Sequence, residues 1–218
     1  MSSSFSLPLL AAEKPRTAGP TDTGFLLPNG WHLTPAGEHV TLTDLPLNII
    51  PLADNRRAVV ATSGFNRHEL SLIDLQTRKI LSSETVQESW FGLARTANEQ
   101  HWYWSGGGGN RLFSYTLTDG KLTPGSLLGT PLDARKADPP PKPAPFKSGL
   151  FLDEQTHTLY SLDINAARID AIDMETGKVA RSATCGGRPY DILLARNRPR
   201  CMSPTGPVAP SSPSVPMT

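Results

Sequence analysis

Three segments of the chain repeat one pattern, in which a run of apolar residues is followed by a polar turn. The first segment is Glu69-Leu-Ser-Leu-Ile-Asp-Leu-Gln-Thr-Arg-Lys-Ile80, and the others run from Leu112 to Lys121 and from Ile169 to Lys178. Apolar residues on both faces are typical of a strand that packs between two sheets. The lysines that close the three turns, at positions 79, 121 and 178, are 42 and 57 residues apart. The chain is therefore built from a repeated unit of short strands.

A repeat of about 40–45 residues made of short strands is the period of a β-propeller blade. We predict an all-β fold, a partial β-propeller of about three to four four-stranded blades. Three antiparallel blades are predicted at residues 44–86, 88–128 and 146–183. Their third strands are expected to place Leu72, Phe113 and Ala171 equivalently. A fourth blade opens at Arg188, with its first turn at 196–198.

The domain boundaries follow from changes in composition. Residues 1–24 are predicted to be a disordered N-terminus or the remnant of a signal peptide, since a basic start is missing and the apolar stretch is short. Short strands are expected at 31–33 and 39–42. The partial propeller is assigned to 25–198. Its proline-rich stretch 131–145 cannot enter a sheet and accounts for the longer second spacing as an insertion.

The second strand and turn of these repeats resemble a known family. Thr158-Leu-Tyr160 and Ile172-Asp-Met-Glu-Thr-Gly-Lys178 are similar to the YVTN (YncE-like) β-propeller repeat. The segment Ile73-Asp-Leu-Gln-Thr-Arg-Lys79 keeps the pattern, whereas Tyr115-Thr-Leu-Thr-Asp-Gly-Lys121 lacks its aspartate. The entry into the repeats, from Phe25 to Gly37, looks like the N-terminal propeller of bacterial proteins that often carry a C-terminal phosphoesterase domain. The resemblance implies the fold and a binding role, and it leaves the phosphoesterase domain outside this chain.

The tail at residues 199–218 departs from the repeat. Prolines recur at every third position from Pro204 to Pro216, and such a composition predicts a disordered, proline- and serine-rich tail. The repeat register expects a second strand at 201–203, where Cys201-Met-Ser stands. Reading these codons one base earlier permits Leu-Tyr-Val, the pattern of the family. We therefore expect a frameshift or an equivalent break here, with a natural tail as the alternative, and a strand pairing at this place is not expected.

Composition excludes several classes of protein. The net charge of +1 over 218 residues gives no basic excess for nucleic-acid binding. No apolar run approaches the ~20 residues of a membrane helix. The two cysteines, Cys185 and Cys201, lack metal-ligand spacing and make no disulfide framework. A periplasmic or secreted location is expected if the N-terminus is a signal peptide, and a cytoplasmic one otherwise.

No arrangement of residues predicts catalysis, a cofactor or a metal. The glycines at 106–109 lack the Gly-Lys-Ser/Thr of a phosphate loop and lead into a strand, so an inter-strand loop is expected. The five histidines are spread over different turns and strands. The carboxylates that might suggest acid–base pairs fall near repeat turns, where solvated side chains are expected: Asp153, Glu154, Asp170 and Asp173.

The aromatic residues at 102–104 are expected to form core between blades, because they alternate along a strand buried on both faces. Trp90 differs, since it precedes an inner strand, at the place of Pro46 and Lys147, where propeller chains enter near the central channel. A ligand at the channel would meet one or two residues from each blade. Five residues are predicted to contribute to a ligand- or partner-binding surface there: Asn48, Trp90, Phe91, Ser148 and Asp191.

Three functions are compatible with these observations. The first is a non-catalytic propeller that binds a protein or small-molecule ligand and is part of a larger propeller–phosphoesterase-type protein. The second is a lactonase-like hydrolase, because lactonases have related propellers. The third is a truncated gene product without function. Six or seven blades of ~42 residues need roughly 250–300 residues, so the arc is expected to be incomplete or to self-associate through its open blade faces.

Overall fold

The computed structural model describes residues 17–129, 142–195, 198–203 and 206–207, and side chains from 17 to 129 and from 142 to 193. The described residues form eighteen β-strands in five antiparallel sheets, with no helix among them. The all-β prediction is confirmed. The chain divides into two compact units, Met1–His39 and Val40–Thr218.

The first unit contains a three-stranded sheet of β1 (Gly19–Thr21), β2 (Gly24–Leu26) and β3 (His32–Leu33). Its second turn is closed by the amide of Leu27, which donates to the Trp31 carbonyl at 2.7 Å. Strand structure thus begins before residue 25, inside the stretch predicted to be disordered, whose residues 1–16 lie outside the described part. The strand predicted at 39–42 is not formed.

The second unit contains three complete four-stranded blades. The first blade consists of β4 (Leu45–Pro51), β5 (Arg57–Ser63), β6 (His68–Asp74) and β7 (Lys79–Val86). The second consists of β8 (Leu93–Arg95), β9 (His101–Ser105), β10 (Leu112–Thr118) and β11 (Lys121–Pro124). The third consists of β12 (Lys147–Asp153), β13 (Thr158–Asp163), β14 (Arg168–Asp173) and β15 (Val179–Thr184). In each blade the strands pair with their neighbours in chain order, as predicted.

The repeated turn explains why the sequence pattern recurs. In the first blade the Asp74 carboxylate accepts the amides of Gln76 and Thr77, at 2.9 and 2.7 Å. In the third, Asp173 accepts those of Glu175 and Thr176, at 3.1 and 2.7 Å. Short polar side chains that bond to the backbone two or three residues on stabilise such turns.

The pairing corrects one equivalence between the blades. Val59 opposes Leu72 and Tyr160 opposes Ala171, whereas Tyr103 opposes Ser114. Ser114, and not Phe113 as predicted, therefore holds the equivalent place in the second blade. Residues at adjacent positions of a strand face opposite sides of the sheet, so Phe113 lies on the face opposite to that of Leu72 and Ala171.

A fourth sheet follows, made of β16 (Asp191–Ala195), β17 (Arg198–Ser203) and β18 (Gly206–Pro207). The prediction that the segment after the turn cannot pair is wrong, since β17 pairs antiparallel with β16 and Leu194 opposes Pro199. Opposed residues alternate between pairs that exchange backbone hydrogen bonds and pairs that do not, so a strand tolerates a single proline where no donor is needed. The hairpin is also tighter than in the other blades, because Leu193 opposes Arg200, seven residues later, whereas Ile50 opposes Val59.

The core lies between the blades. The first two blades enclose a cluster that includes Leu70, Leu72, Trp102 and Trp104. Tyr103 points the other way, into the cluster between the second and third blades. Both faces of β9 are thus buried, which confirms the prediction that its aromatic residues form inter-blade core. A third cluster joins the third and fourth blades and contains the disulfide-bonded Cys185, which the sequence had not assigned to any bridge.

A hydrogen bond from a backbone amide to a glutamate carboxylate joins the turns of successive blades twice. The Glu99 carboxylate in the second blade accepts the Ala53 amide of the first at 2.8 Å. The Glu154 carboxylate in the third accepts the Ala97 amide of the second at 2.6 Å. Hydrogen bonds to a charged acceptor are stronger than neutral ones, so each glutamate fixes the preceding blade at its turn end.

Candidate functional site

The start of the inner strands places one residue of each blade at an equivalent position. Ile49, Leu93, Leu150 and Ile192 each oppose the second strand of their blade. Two residues before them stand Leu47, Phe91, Ser148 and Tyr190, and one residue before them stand Asn48, Gly92, Gly149 and Asp191. These two rows of residues, which we call the inner rim, contain four of the five predicted ligand-binding residues.

Two of the predicted residues join neighbouring blades. The Asn48 amide nitrogen Nδ2 donates to the Phe91 carbonyl at 2.8 Å. The Ser148 hydroxyl donates to the Tyr190 carbonyl at 2.9 Å. Both polar groups are therefore occupied by backbone partners, and their main role is to hold the rim together.

An aromatic pair forms the apolar part of the inner rim. The rings of Phe91 and Tyr190 stack with their centroids 4.8 Å apart and their planes 12° apart. Ser148 stands at the equivalent position in the blade between them, and its small side chain allows the two rings to meet. Tyr190 was not among the predicted residues, although its place immediately before Asp191 matches that of Phe91 before Gly92.

Close packing in this rim depends on glycine. A Cβ atom on Gly92 would lie 1.9 Å from the Ser148 carbonyl oxygen, so no other residue fits without a shift of the backbone. This approach brings the inner strands of the second and third blades together directly below the aromatic pair.

Asp191 provides a partly buried carboxylate in the same rim. Its Oδ1 atom accepts the backbone amide of Ile192 at 2.8 Å. Burial raises the pKa of the Asp191 carboxyl, and the hydrogen bond from Ile192 opposes this only in part. No positively charged side chain among the described residues contributes to this pKa. A half-buried carboxylate without a cationic neighbour, next in the chain to the exposed Tyr190, is a candidate for ligand contact.

Trp90 belongs to the junction between the second and third blades. Its ring meets Phe146 edge to face, with centroids 5.3 Å apart. Its backbone carbonyl accepts the indole N–H of Trp104 at 2.8 Å. Its own indole nitrogen is buried and has no hydrogen-bond partner within the described residues. The packing of Trp90 against Phe146 explains its position.

A buried ion pair in the third blade was not expected from the sequence. The Asp170 side chain is 1% exposed, and its Oδ2 lies 2.7 Å from the Lys147 ammonium. Arg168 and the Ser182 hydroxyl each approach Oδ1 at 2.7 Å. Burial pushes the pKa of Asp170 up, but the charge of Lys147 and the hydrogen bonds outweigh it, so that the pKa is lowered.

The prediction that Asp170 is a solvated turn residue is therefore wrong. Asp170 opposes Ser161 in the middle of the blade, three residues before the turn aspartate Asp173. The spacing between the two aspartates could not show this difference, because burial depends on how the third blade packs. Asp153 and Asp173 are the last residues of β12 and β14, and each accepts backbone amides of the turn that follows.

A buried serine–histidine contact in the first blade has a structural explanation. The Nδ1 atom of His68 lies 2.9 Å from the Ser89 hydroxyl. That hydroxyl donates to the Thr62 carbonyl at 3.1 Å, and Ser89 is only 2% exposed. A nucleophile must reach a substrate, and this serine cannot. The contact links the first blade to the segment that enters the second.

The glycine-rich loop does not form an anion site. Its Gly107 carbonyl accepts the Lys147 amide at 2.8 Å, and the Gly106 amide donates to the Arg111 carbonyl at 2.8 Å. The loop thus connects β9 and β10, as predicted, and joins the third blade through backbone groups. In the part of the chain with placed side chains, no group of three metal-binding residues occurs. No helix in that part is long and apolar enough to cross a membrane.

Comparison with known proteins identifies the architecture. No protein-family profile matches the chain, and no curated protein matches it by sequence. The β-propeller domain of Cps50 (Swd1) from Myceliophteria thermophila is similar in structure, with a TM-score of 0.56 and 14% identity over 72% of this chain and 49% of that one. A protein from Lactobacillus plantarum has a TM-score of 0.59 and 12% identity over 82% of this chain and 54% of its own.

A third similar structure is the periplasmic gluconolactonase PpgL of Pseudomonas aeruginosa, with a TM-score of 0.51 and 12% identity over 75% of this chain and 52% of that one. The chain spans about half the length of these solved structures. At such low identity the likeness concerns the fold alone. The chain is a partial β-propeller of three to four blades, which confirms the predicted fold.

Proposed function

We propose that this chain is a non-catalytic β-propeller domain that binds a protein or small-molecule ligand at its inner rim. The observation that carries the proposal is the stacked pair of Phe91 and Tyr190, followed in the chain by Asp191, whose half-buried carboxylate has no cationic partner among the described residues. An exposed aromatic face next to a polar group is the usual composition of a recognition surface. Asn48 and Ser148 support this surface from below through their backbone hydrogen bonds.

We also propose that the chain belongs to the YVTN-type group of propeller proteins. The turn aspartates Asp74 and Asp173 support a YVTN-type repeat, because the aspartate of that pattern closes the turn in both blades. A larger bacterial protein with a phosphoesterase domain would contain this arc as one part. The nucleotide sequence after codon 198 tests the idea: we expect further propeller repeats in the frame one base earlier, and related genes that encode the same proline-rich tail would contradict it.

A periplasmic or secreted location belongs to the proposal as well. For the present chain, which contains Cys201, it is supported by the disulfide at Cys185, since disulfides persist in oxidising compartments. The frame one base earlier encodes no Cys201, so this support and the frameshift exclude each other. Alkylation of the protein from intact cells, before and after reduction, measures this. A free thiol at Cys185 in the native protein would contradict an oxidising compartment.

Ligand binding at the inner rim can be tested by saturation-transfer NMR with a library of aromatic and carbohydrate fragments. Fragments that bind the unaltered chain should lose most of their signal with Phe91→Ala and with Tyr190→Ala. The matched control is Phe65→Ala, because Phe65 is an exposed aromatic residue in the loop between β5 and β6. Equal signals for Tyr190→Ala and the control would refute the inner rim as the binding surface.

A lactonase-like hydrolase is a second candidate, favoured by one observation. The pKa of Asp191 is raised by burial, and raised carboxyl pKa values are typical of general acids. No second group suited to activate water lies beside it among the described residues, so we rank this function lower. Hydrolysis of gluconolactone or its phosphate ester by the purified chain, abolished by Asp191→Ala or Asn48→Ala, would establish it, and absence of turnover supports the binding function.

A further inference from the structure

We infer that His68 is a proton-sensitive latch that fixes the chain segment between the first and second blades. This segment, which we call the connector, comprises residues 87–92 between β7 and β8 and includes Phe91 and Gly92 of the inner rim. The latch itself is buried at the junction of two complete blades. Only its consequence for ligand binding rests on the function proposed above.

The latch is a hydrogen bond from the connector to the imidazole ring. The Ser89 amide donates to Nδ1 of His68 at 2.8 Å, and the two residues are 2% and 8% exposed. A backbone amide cannot redirect its proton unless the chain moves, so Nδ1 must present a lone pair. Nε2 therefore carries the ring proton and donates to the Gly64 carbonyl at 3.0 Å, a shorter contact than the 3.3 Å to the Gly64 amide. The latched histidine is neutral, and its tautomer is fixed.

Two serine hydroxyls surround the same nitrogen, but their protons are directed elsewhere. The Ser89 hydroxyl donates to the Thr62 carbonyl at 3.1 Å, and the Ser63 hydroxyl donates to the Ser89 carbonyl at 3.0 Å. The two hydroxyl oxygens lie 2.9 and 3.4 Å from Nδ1. They hold the backbone around Ser89 in place, while the Ser89 amide depends on the imidazole as its acceptor.

Proton uptake by the ring breaks the latch. A second proton must enter at Nδ1, so that two N–H groups face each other across 2.8 Å. The ring can then donate to the Ser89 hydroxyl oxygen at 2.9 Å, but the Ser89 amide has lost its acceptor. A buried donor without an acceptor is costly. The protonated ring therefore favours a connector that has moved away from the first blade.

A carboxylate near the ring makes this proton uptake attainable. Asp44 lies in the segment before β4 and accepts the Asn66 amide at 2.6 Å. That hydrogen bond is the main cause that lowers the pKa of Asp44, and a positive charge on His68 lowers it further. The negative charge of Asp44 thus attracts a proton to the ring, whereas the geometry at Nδ1 makes the proton displace the Ser89 amide.

The other charged groups around the latch do not cancel this attraction. Arg67 in the preceding loop is 70% exposed at its side chain, and its guanidinium lies 3.9 Å from the Glu69 carboxylate. Glu88 of the connector is directed to the next blade, since a Cβ atom on Gly108 would lie 2.5 Å from its carboxylate. Val86, which opposes His68 in β7, is uncharged. The Arg67 charge therefore has a carboxylate of its own.

Release of the connector acts on the inner rim. Ser89 lies two residues before Phe91, whose carbonyl accepts the Asn48 amide at 2.8 Å. Loss of the bond to His68 loosens the backbone that holds the Phe91 ring against Tyr190. We therefore expect ligand binding at the inner rim to weaken in acid.

Amide hydrogen exchange measured by NMR at about pH 7.5 and about pH 5 tests the latch, because histidine ordinarily changes its charge in this interval. In the unaltered chain the Ser89 amide should lose protection by about tenfold or more at the lower pH, relative to an unstructured peptide at the same pH. The Leu117 amide, which donates to the Gln100 carbonyl in the second blade, is the internal control and should keep its protection.

Two substitutions separate the acceptor from the proton. His68→Asn places at the position of Nδ1 an oxygen that accepts the amide and does not titrate, so the Ser89 amide should be protected at both pH values. His68→Leu removes the acceptor, so that amide should be unprotected at both. The matched control is His101→Asn, since His101 is an exposed histidine of β9, and this variant should keep the pH dependence of the unaltered chain.

Two outcomes of the exchange measurement would overturn the inference. One is equal protection of the Ser89 amide at both pH values in the unaltered chain, and the other is an equal acid-induced loss in His68→Asn. Two-bond ¹H–¹⁵N spectra of the imidazole test the latch without any substitution. They should show an unprotonated Nδ1 at the higher pH, and a proton on Nδ1 there would contradict the latch.

The effect on the inner rim is measured separately with the fragments that bind it. At the lower pH these fragments should lose more signal with the unaltered chain than with His68→Asn, and an equal loss would show that the latch does not control the inner rim. If no fragment binds at either pH, the proposed function fails, and the exchange measurement still decides the latch.

Discussion

The first and third blades have the same strand order and register but different kinds of side chain at their centres. Val60 opposes Ser71 in the first blade, and Ser161 opposes Asp170 at the same place in the third. Pro46 opposes Thr62, whereas its equivalent Lys147 opposes Asp163. One repeat unit therefore accepts either small neutral side chains or a buried ion pair at the same positions.

This difference shows which positions of the repeat carry the fold. The turn aspartates and the apolar residues that face the next blade are shared, because every blade needs a closed turn and a covered face. The residues of the blade centre vary, provided that each buried charge has a partner. The largest expected effect is therefore at the ion pair.

Asp170→Ala should destabilise the protein strongly, because it leaves the Lys147 ammonium buried without its counter-charge. Removing one partner of a buried pair costs about 3–5 kcal/mol. The equivalent change in the first blade, Ser71→Ala, should alter the free energy of unfolding by less than about 1 kcal/mol, since the Ser71 hydroxyl has no partner among the described residues. Urea denaturation of the two variants measures the difference.

The double variant Lys147→Met with Asp170→Leu sharpens the same comparison. Apolar residues of similar size often replace a buried pair without loss, and Arg168 can turn its partly exposed side chain to solvent. We expect the double variant to be more stable than Asp170→Ala alone. If the double variant were as unstable as Asp170→Ala, the third blade would require the ion pair for its packing, unlike the first blade.

A second prediction concerns two buried or half-buried aspartates whose pKa values shift in opposite directions. The pKa of Asp170 is lowered, and that of Asp191 is raised. Burial raises the pKa of Asp191, so its folded form holds the proton more tightly than the unfolded chain does. Its contribution to stability is present below the unfolded pKa and is lost as the pH rises through the folded pKa. Asp191→Asn should therefore stabilise the protein at neutral pH, and the gain should vanish near pH 3.5.

Thermal unfolding of Asp191→Asn and the unaltered chain between pH 3.5 and 7 measures this gain. The matched control is Asp119→Asn, an exposed turn residue with a φ of 51°, a conformation that asparagine also adopts. A gain of equal size in the control, or a gain for Asp191→Asn that persists at low pH, would contradict the assignment.

The smallest expected effect is at the turns that the first and third blades share. The backbone hydrogen bond from Thr77 lowers the pKa of Asp74 against a smaller effect of burial, and that from Thr176 lowers the pKa of Asp173. Both aspartates thus add stability that is present above the unfolded pKa and is lost as the pH falls through the folded pKa. Asp74→Asn and Asp173→Asn should each make the protein slightly less sensitive to acid in a pH series of midpoints, and the change should be larger for Asp74, which also pairs with Arg56 at 2.9 Å. Equal changes would show that the ion pair with Arg56 adds nothing to the turn of the first blade.

The repeat could be predicted from the sequence because it depends on local rules. A strand buried on both faces, an aspartate that closes a turn and the spacing of the turns are all visible between Glu69 and Lys79 and again near Lys178. The N-terminal boundary and the pairing of β17 were missed, because Gly19–Thr21 and Arg198–Ser203 have little apolar character and form strands only through their neighbours.

The inner rim was predicted in part for the same reason. Counting along the repeat placed Asn48, Phe91, Ser148 and Asp191 at corresponding ends of the inner strands, and the structure brings them into neighbouring blades. The sequence could not show that the side chains of Asn48 and Ser148 donate their hydrogen bonds to backbone carbonyls. Nor could it show that Tyr190 reaches Phe91 across the third blade, since that contact needs the small side chain of Ser148 between them.

The sequence by itself determined the all-β repeat, its period and the turns that end each strand, because these follow from alternation and hydrogen bonding within a few residues. Only the tertiary structure decided which side chains meet across blades. Asp170 is buried beside Lys147, and Asp191 has no cationic partner, although both are aspartates near the start or middle of a strand. The physical reason is that burial and charge pairing are set by residues distant in the chain, and the free energy of ionising a carboxyl group depends on both.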